Sequence, residues 1–108
     1  MLILFDQGTP VAIRRSLPEH TVRTAAEQGW STLLNGDLLR AAEEAGFEVF
    51  LTTDTDIPFQ QNLKSHNLAI VVLSQNRWKL IRTMLAQIVA AVASARPGTC
   101  SVVEIPRC

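Results

Sequence analysis

Met1 to Phe5 is apolar at every position, and Phe47 to Thr52 and Leu68 to Leu73 are nearly as unbroken, rich in β-branched and aromatic residues. A strand with one wet face alternates apolar and polar side chains, whereas a run without alternation suits a strand covered on both faces. Such strands belong to parallel sheets sandwiched between helices, which is the strongest constraint on this chain.

The segments between these runs read as helices or loops. Pro10 stands at a first helical turn with Thr9 as N-cap, leading into a helix over Val11 to Leu17 that Pro18 ends. His20 to Arg23 is a short strand, polar enough for a sheet edge, and Ala25 to Gly29 reads as one helical turn. Trp30 to Gly36 reads as loop. Asp37 to Ala45 is a helix with Leu38, Ala41, Ala42 and Ala45 on one stripe, closed by Gly46. Pro58 breaks the chain before a short helix at Phe59 to Leu63. Arg77 to Ala95 is the longest helix, with a core stripe of Ile81, Leu85, Ile88, Val89 and Val92, stopped at Arg96-Pro97-Gly98. Cys100 to Ile105 is the last strand. Strands alternating with helices predict a three-layer α/β/α domain with a mostly parallel sheet of about five strands, spanning residues 1–108 as one unit.

Composition narrows the function classes. The chain is 47% hydrophobic, with ten basic and ten acidic side chains and a formal net charge of zero. A tight nucleic-acid binder usually carries a basic excess, so contact with a polyanion here requires a local patch, a bound cation or a partner. Cys100 and Cys108 lack metal-ligand spacing and read as free thiols of a reducing compartment. The apolar start meets Asp6 too soon for a signal peptide, and Leu80 to Ala95 is too polar to span a bilayer. A cytoplasmic protein without a membrane role is expected.

All four aspartates are expected at one end of the sheet. Asp6 follows the first strand, Asp54 and Asp56 follow the third, and Asp37 begins the helix that leads into that strand. The carboxyl ends of parallel strands face one crevice, where ligands bind. Carboxylates crowded there resist ionisation unless a divalent cation joins them, and oxygen donors select Mg²⁺ or Mn²⁺. Individually, Asp37 also suits a helix first turn, and Asp6 and Asp56 suit turns.

Asp37-Leu-Leu-Arg-Ala-Ala-Glu-Glu-Ala-Gly46, followed by Val49-Phe-Leu-Thr-Thr-Asp54-Thr-Asp56, resembles the second half of the PIN-domain signature. Leu2-Ile-Leu-Phe-Asp6-Gln-Gly-Thr-Pro10 resembles its opening strand and first aspartate, in the form of the short PIN-like family DUF5615. The likeness covers roughly residues 1–75. It implies a Mg²⁺- or Mn²⁺-dependent ribonuclease, often the toxin of a toxin–antitoxin pair, which hydrolyses RNA phosphodiesters with a metal-activated water. Asp6, Asp37 and Asp54 would be the principal metal-binding and catalytic acids and Asp56 a supporting one, with a small helical DUF433-type antitoxin as partner. The chain departs from the pattern at the fourth acid, for which only Glu19 and Glu27 are available. It also departs at Gln7-Gly8 after the first aspartate, and at Ile57-Pro58-Phe59 after the last. A catalytically degenerate PIN-like scaffold for protein binding is therefore the alternative. A receiver-like domain would need an acidic pair after strand one and a lysine after the last strand, where Gln7 and Arg107 stand. In haloacid-dehalogenase-type phosphohydrolases the Asp-x-Asp follows the first strand, not the third.

Arg14 and Arg15 on the first helix, and Arg77, Lys79 and Arg82 on the last, form a candidate nucleic-acid rim. His20 and His66 have no ligand spacing and read as structural or solvent-exposed. Trp30 and Trp78 read as core or interface, and the last helix could also form a dimer seam.

Overall fold

The apolar runs become the strands of one sheet. In the computed structural model, which describes residues 1–57 and 66–106, β1 is Leu2–Phe5, β2 Thr21–Thr24, β3 Val49–Thr52, β4 Ala69–Leu73 and β5 Cys100–Val103. All four pairings are parallel and the strand order is β2-β1-β3-β4-β5. β3 and β4 are buried along their whole length, as their sequences require. β2 exposes alternate residues and lies at an edge.

Two cores flank the sheet. Ile3, Phe5, Val49, Leu51, Val71 and Leu73 face one way, against Ile13, Ile81, Ile88 and Val92. Leu4, Phe50, Ile70 and Val72 face the other, against Leu38, Leu39 and Ala42 of α1 (Asn35–Glu44). The expected three layers are therefore present. Trp30 joins the second core through an edge contact with Phe47, their ring centroids 5.9 Å apart.

The helices depart from expectation in three places. Val11–Ser16 is a 3-10 segment, and Thr9 does not cap it. The Thr9 hydroxyl instead donates to the Leu51 carbonyl at 3.3 Å, tying the loop after β1 to β3. The helix α1 starts at Asn35, two residues before Asp37. The long final helix is broken into α2 (Trp78–Ile81), a 3-10 turn (Arg82–Met84) and α3 (Leu85–Ala93). At the break the Thr83 hydroxyl donates to the Leu80 carbonyl at 2.7 Å, offering the backbone a partner outside the regular ladder. Gly46, at φ +87°, ends α1 in the left-handed conformation that its lack of Cβ permits. The short helix expected at Phe59 to Leu63 lies outside the described residues.

Crossover hand follows from which face each connection covers. The β1-to-β2 and β2-to-β3 connections advance in opposite directions on opposite faces, so they share a hand. The β4-to-β5 connection advances with β2-to-β3 but covers the other face, giving it the other hand. This separates the sheet from a uniformly wound receiver-like one of the same strand order. Among the described residues no helix is long and apolar enough to cross a membrane.

Candidate functional site

The chain winds away from β1 in one direction to β2 and in the other to β3, so the strand order reverses between β1 and β3. At such a switch point the connections diverge and leave a crevice beyond the strand ends. Asp6 stands on one side of it and Asp54 on the other. The Asp6 amide donates to the Leu51 carbonyl at 2.9 Å, which carries the β1–β3 ladder one residue beyond the strand and fixes the Asp6 backbone.

Both carboxylates are held by hydrogen bonds, some from neighbouring residues and some from partners distant in the chain. Asp6 Oδ1 accepts the Gln7 amide at 2.8 Å, and Asp6 Oδ2 accepts the Thr52 hydroxyl at 2.7 Å. Thr52, fully buried, also accepts the Asp54 amide on its hydroxyl oxygen at 3.0 Å. Asp54 Oδ1 accepts the Asp56 amide at 3.0 Å, and Asp54 Oδ2 accepts the Asn35 side-chain amide at 2.9 Å. One hydroxyl thus bridges the two aspartates. Each carboxylate oxygen has room for a second partner.

Burial pushes the Asp6 carboxyl above its ordinary pKa, and the nearby Asp54 charge pushes it the same way. The hydrogen bonds from Thr52 and Gln7 oppose that rise without cancelling it. Among the described residues no Lys, Arg or His forms an ion pair with Asp6 or Asp54.

The other two aspartates behave differently. Asp37 is exposed and its carboxylate accepts from Arg40 at 2.7 Å, one turn along α1. It sits in the first turn, where a negative charge complements the helix dipole. Asp56 is exposed, and its amide rather than its carboxylate engages Asp54. Among the described residues no three His, Cys, Asp or Glu side chains gather closely enough to hold one metal ion. The corner expected for Asp37 is taken by Asn35, which lies in a stretch that reads as loop. Thr52 was likewise legible only as the end of a strand. The local signal for both is slight: each is a polar residue two positions before an aspartate, Asn35 before Asp37 and Thr52 before Asp54.

Glu27, the best sequence candidate for a fourth acid, is used locally. It accepts the Thr24 amide at 2.8 Å while its own amide donates to the Thr24 hydroxyl, a reciprocal cap. The Thr24 amide and the Arg14 guanidinium hold its carboxyl below the usual range. Arg14, expected at a nucleic-acid rim, is therefore paired with Glu27 at 2.6 Å, whereas Arg15, Arg77 and Lys79 are exposed. His66 Nδ1 lies 3.1 Å from Glu43, before the start of β4 and so at the other end of the parallel strands from Asp6 and Asp54. Cys100 is a free, exposed thiol, and Cys108 lies outside the described residues.

A cleft of about 260 Å³ opens beside Asp6, lined by Gln7, Gly8, Val11, Thr24 and Ala25. A second, of about 440 Å³, opens at the carboxyl ends of β4 and β5. No protein-family model, curated protein or solved structure matches this chain.

Proposed function

We propose that this chain is a Mg²⁺- or Mn²⁺-dependent ribonuclease of PIN-like type. The observation that carries the reading is the Asp6–Asp54 pair: two carboxylates at the switch point, one of them desolvated, with no basic side chain paired to either among the described residues. Mg²⁺ commonly binds through one or two carboxylates while keeping several waters, and phosphate oxygens can replace those waters. Two fixed acids fit that requirement. Asp6 and Asp54 would hold the ion, with Asp37 and Asp56 as outlying acids near the same loops. When bound, the ion supplies a Lewis acid that polarises the scissile phosphate and activates water.

The chain's own residues supply positioning. Thr52 holds Asp6 Oδ2 and the Asp54 backbone amide on one hydroxyl, and Asn35 holds the Asp54 carboxylate from α1. The turn from Asp6 to Thr9, closed by the Thr9 amide on the Asp6 carbonyl at 3.2 Å, keeps the first acid at the rim of its cleft. Extending the resemblance, the enzyme acts in the cytoplasm as a toxin restrained by a small helical antitoxin, and the last helix offers a homodimer seam.

The test is an RNA-degradation assay on purified protein with Mn²⁺, Mg²⁺ or EDTA, beside Asp6→Ala and Asp54→Ala. Metal-dependent cleavage lost in both variants is expected. Equal degradation by all three proteins identifies a contaminant and removes the activity.

One set of observations favours a second reading. Asp37 is committed to Arg40 and Glu27 to a cap, so neither adds a third acid to the pair. A PIN-like scaffold that binds a protein partner without cleaving RNA has no need of one. Absence of cleavage together with tight binding of the product of a neighbouring small helix-turn-helix reading frame supports it.

A further inference from the structure

The zero net charge conceals a division along the chain. Residues 1–56 hold nine acidic and four basic side chains, and residues 57–108 hold one acidic and six basic. That second half builds β4, α2, α3 and β5. Its basic residues Arg77, Lys79 and Arg82 are exposed and make no ion pair among the described residues. The half-exposed Trp78 stands between the first two.

The cleft of about 440 Å³ lies in this half, lined by Ser74, Gln75, Asn76, Arg77, Glu104 and Ile105. Ser74 and Gln75 are occupied in building it. The Ile105 backbone amide donates to the Ser74 hydroxyl at 2.7 Å, and the Gln75 side-chain amide donates to the Ile105 carbonyl at 3.2 Å, which pins the chain after β5 to the end of β4. Asn76, Arg77 and Glu104 are exposed lining groups. Because every strand is parallel, this cleft opens at the same carboxyl end of the sheet as Asp6 and Asp54. Neighbouring parallel strands lie about 4.8 Å apart, and β4 adjoins β3, so the cleft is within one or two strand spacings of Asp54.

We infer that this cleft holds one nucleotide of a single-stranded RNA, with Arg77 on its phosphate and Lys79 and Arg82 on the phosphates beyond; the substrate class is taken from the ribonuclease reading above. The Arg77 guanidinium in the lining is suited to phosphate, and the Glu104 carboxylate in the same lining repels one, so the phosphate sits on the Arg77 side. A concave polar pocket admits a base splayed out of a single strand but not a stacked duplex. Trp78 beside it offers a face for the next base. Arg77, Lys79 and Arg82, which make no ion pair among the described residues, give the strand a track that starts at the acid pair and runs away from the acidic half, which repels it.

The experiment is fluorescence anisotropy with a short fluorescein-labelled oligouridine and a blunt RNA duplex of the same length. It uses the full chain carrying Asp6→Asn, in EDTA, so that no cleavage occurs. The single strand should bind more tightly than the duplex. Arg77→Ala should weaken it at least about 10-fold and lower the salt slope by about one, Arg77→Lys should recover part of the loss, and Arg40→Ala on α1 should leave it within about twofold. Equal affinity of Arg77→Ala and its parent, equal loss in Arg40→Ala, or equal binding of the duplex each overturns the assignment. If wild type fails to cleave RNA while Arg77 still governs binding, the ribonuclease reading falls and the cleft stands. If wild type cleaves but Arg77→Ala binds normally, the cleft alone falls.

Discussion

The Thr52 hydroxyl donates to Asp6 Oδ2 at 2.7 Å and accepts from the Asp54 amide at 3.0 Å, from a side chain with no solvent exposure. One buried oxygen thereby sets the spacing of two acids that come from strands far apart in sequence. Thr52→Val keeps the shape and removes both bonds. Leaving these groups without a partner should destabilise the fold by about 1–3 kcal/mol in urea denaturation. Under the proposed function Thr52 orients a metal ligand, and its loss should weaken Mn²⁺ binding by about 10- to 100-fold. Thr52→Ser keeps the hydroxyl and should retain most of the Mn²⁺ affinity.

Asp6 couples stability to pH in a definite direction. Its carboxyl is raised by burial and by Asp54, so the folded chain holds that proton more tightly than the unfolded chain does. Its contribution favours folding at acid pH, below the ordinary carboxyl value, and is lost as pH rises through the raised value. In EDTA at neutral pH, Asp6→Asn should therefore melt no lower than wild type. Added Mn²⁺ should raise the melting temperature of wild type and leave that of the variant unchanged. A variant that melts well below wild type at neutral pH in EDTA contradicts this.

Asn35 occupies the corner that the sequence assigns to Asp37, and the two can be separated by mutation. Asn35→Asp places a third carboxylate against Asp54 and should tighten Mn²⁺ binding in a calorimetric titration. Asp37→Asn breaks an exposed ion pair, costing no more than about 0.5–1 kcal/mol, and should leave Mn²⁺ affinity unchanged. The opposite ranking would restore Asp37 to the metal.

The broken last helix still delivers its apolar stripe. Ile88 is fully buried in the core shared with β1 and β3, and truncating it to alanine should cost about 2–5 kcal/mol. Val102, on the exposed side of β5, should tolerate alanine within about 0.5 kcal/mol. Chemical denaturation of both variants distinguishes the two environments.

What could be read from the sequence was what burial dictates. Val49 to Thr52 and Ala69 to Leu73 have apolar side chains toward both faces, which only a covered parallel sheet accommodates, and the three layers follow. The positions of Asp6 and Asp54 follow too, because Asp6 comes directly after such a run and Asp54 two residues after one. What escaped was set by partners distant in the chain. Asn35 beside Gly36 has the composition of a loop, and nothing local tells that its amide meets Asp54. Thr9 before Pro10 has the composition of a cap, yet its hydroxyl serves Leu51. The apolar period from Ile81 to Val92 continues through the break at Arg82–Met84, so periodicity alone cannot reveal it.

The proposed function depends on Asp6 and Asp54 sharing one divalent cation. Electron paramagnetic resonance of Mn²⁺ titrated into wild type, Asp6→Asn and Asp54→Asn measures this without reference to any substrate. One bound ion in wild type, with affinity reduced by more than about 100-fold in each variant, is the predicted outcome. Equal Mn²⁺ affinity in all three proteins, or no binding by wild type, contradicts it.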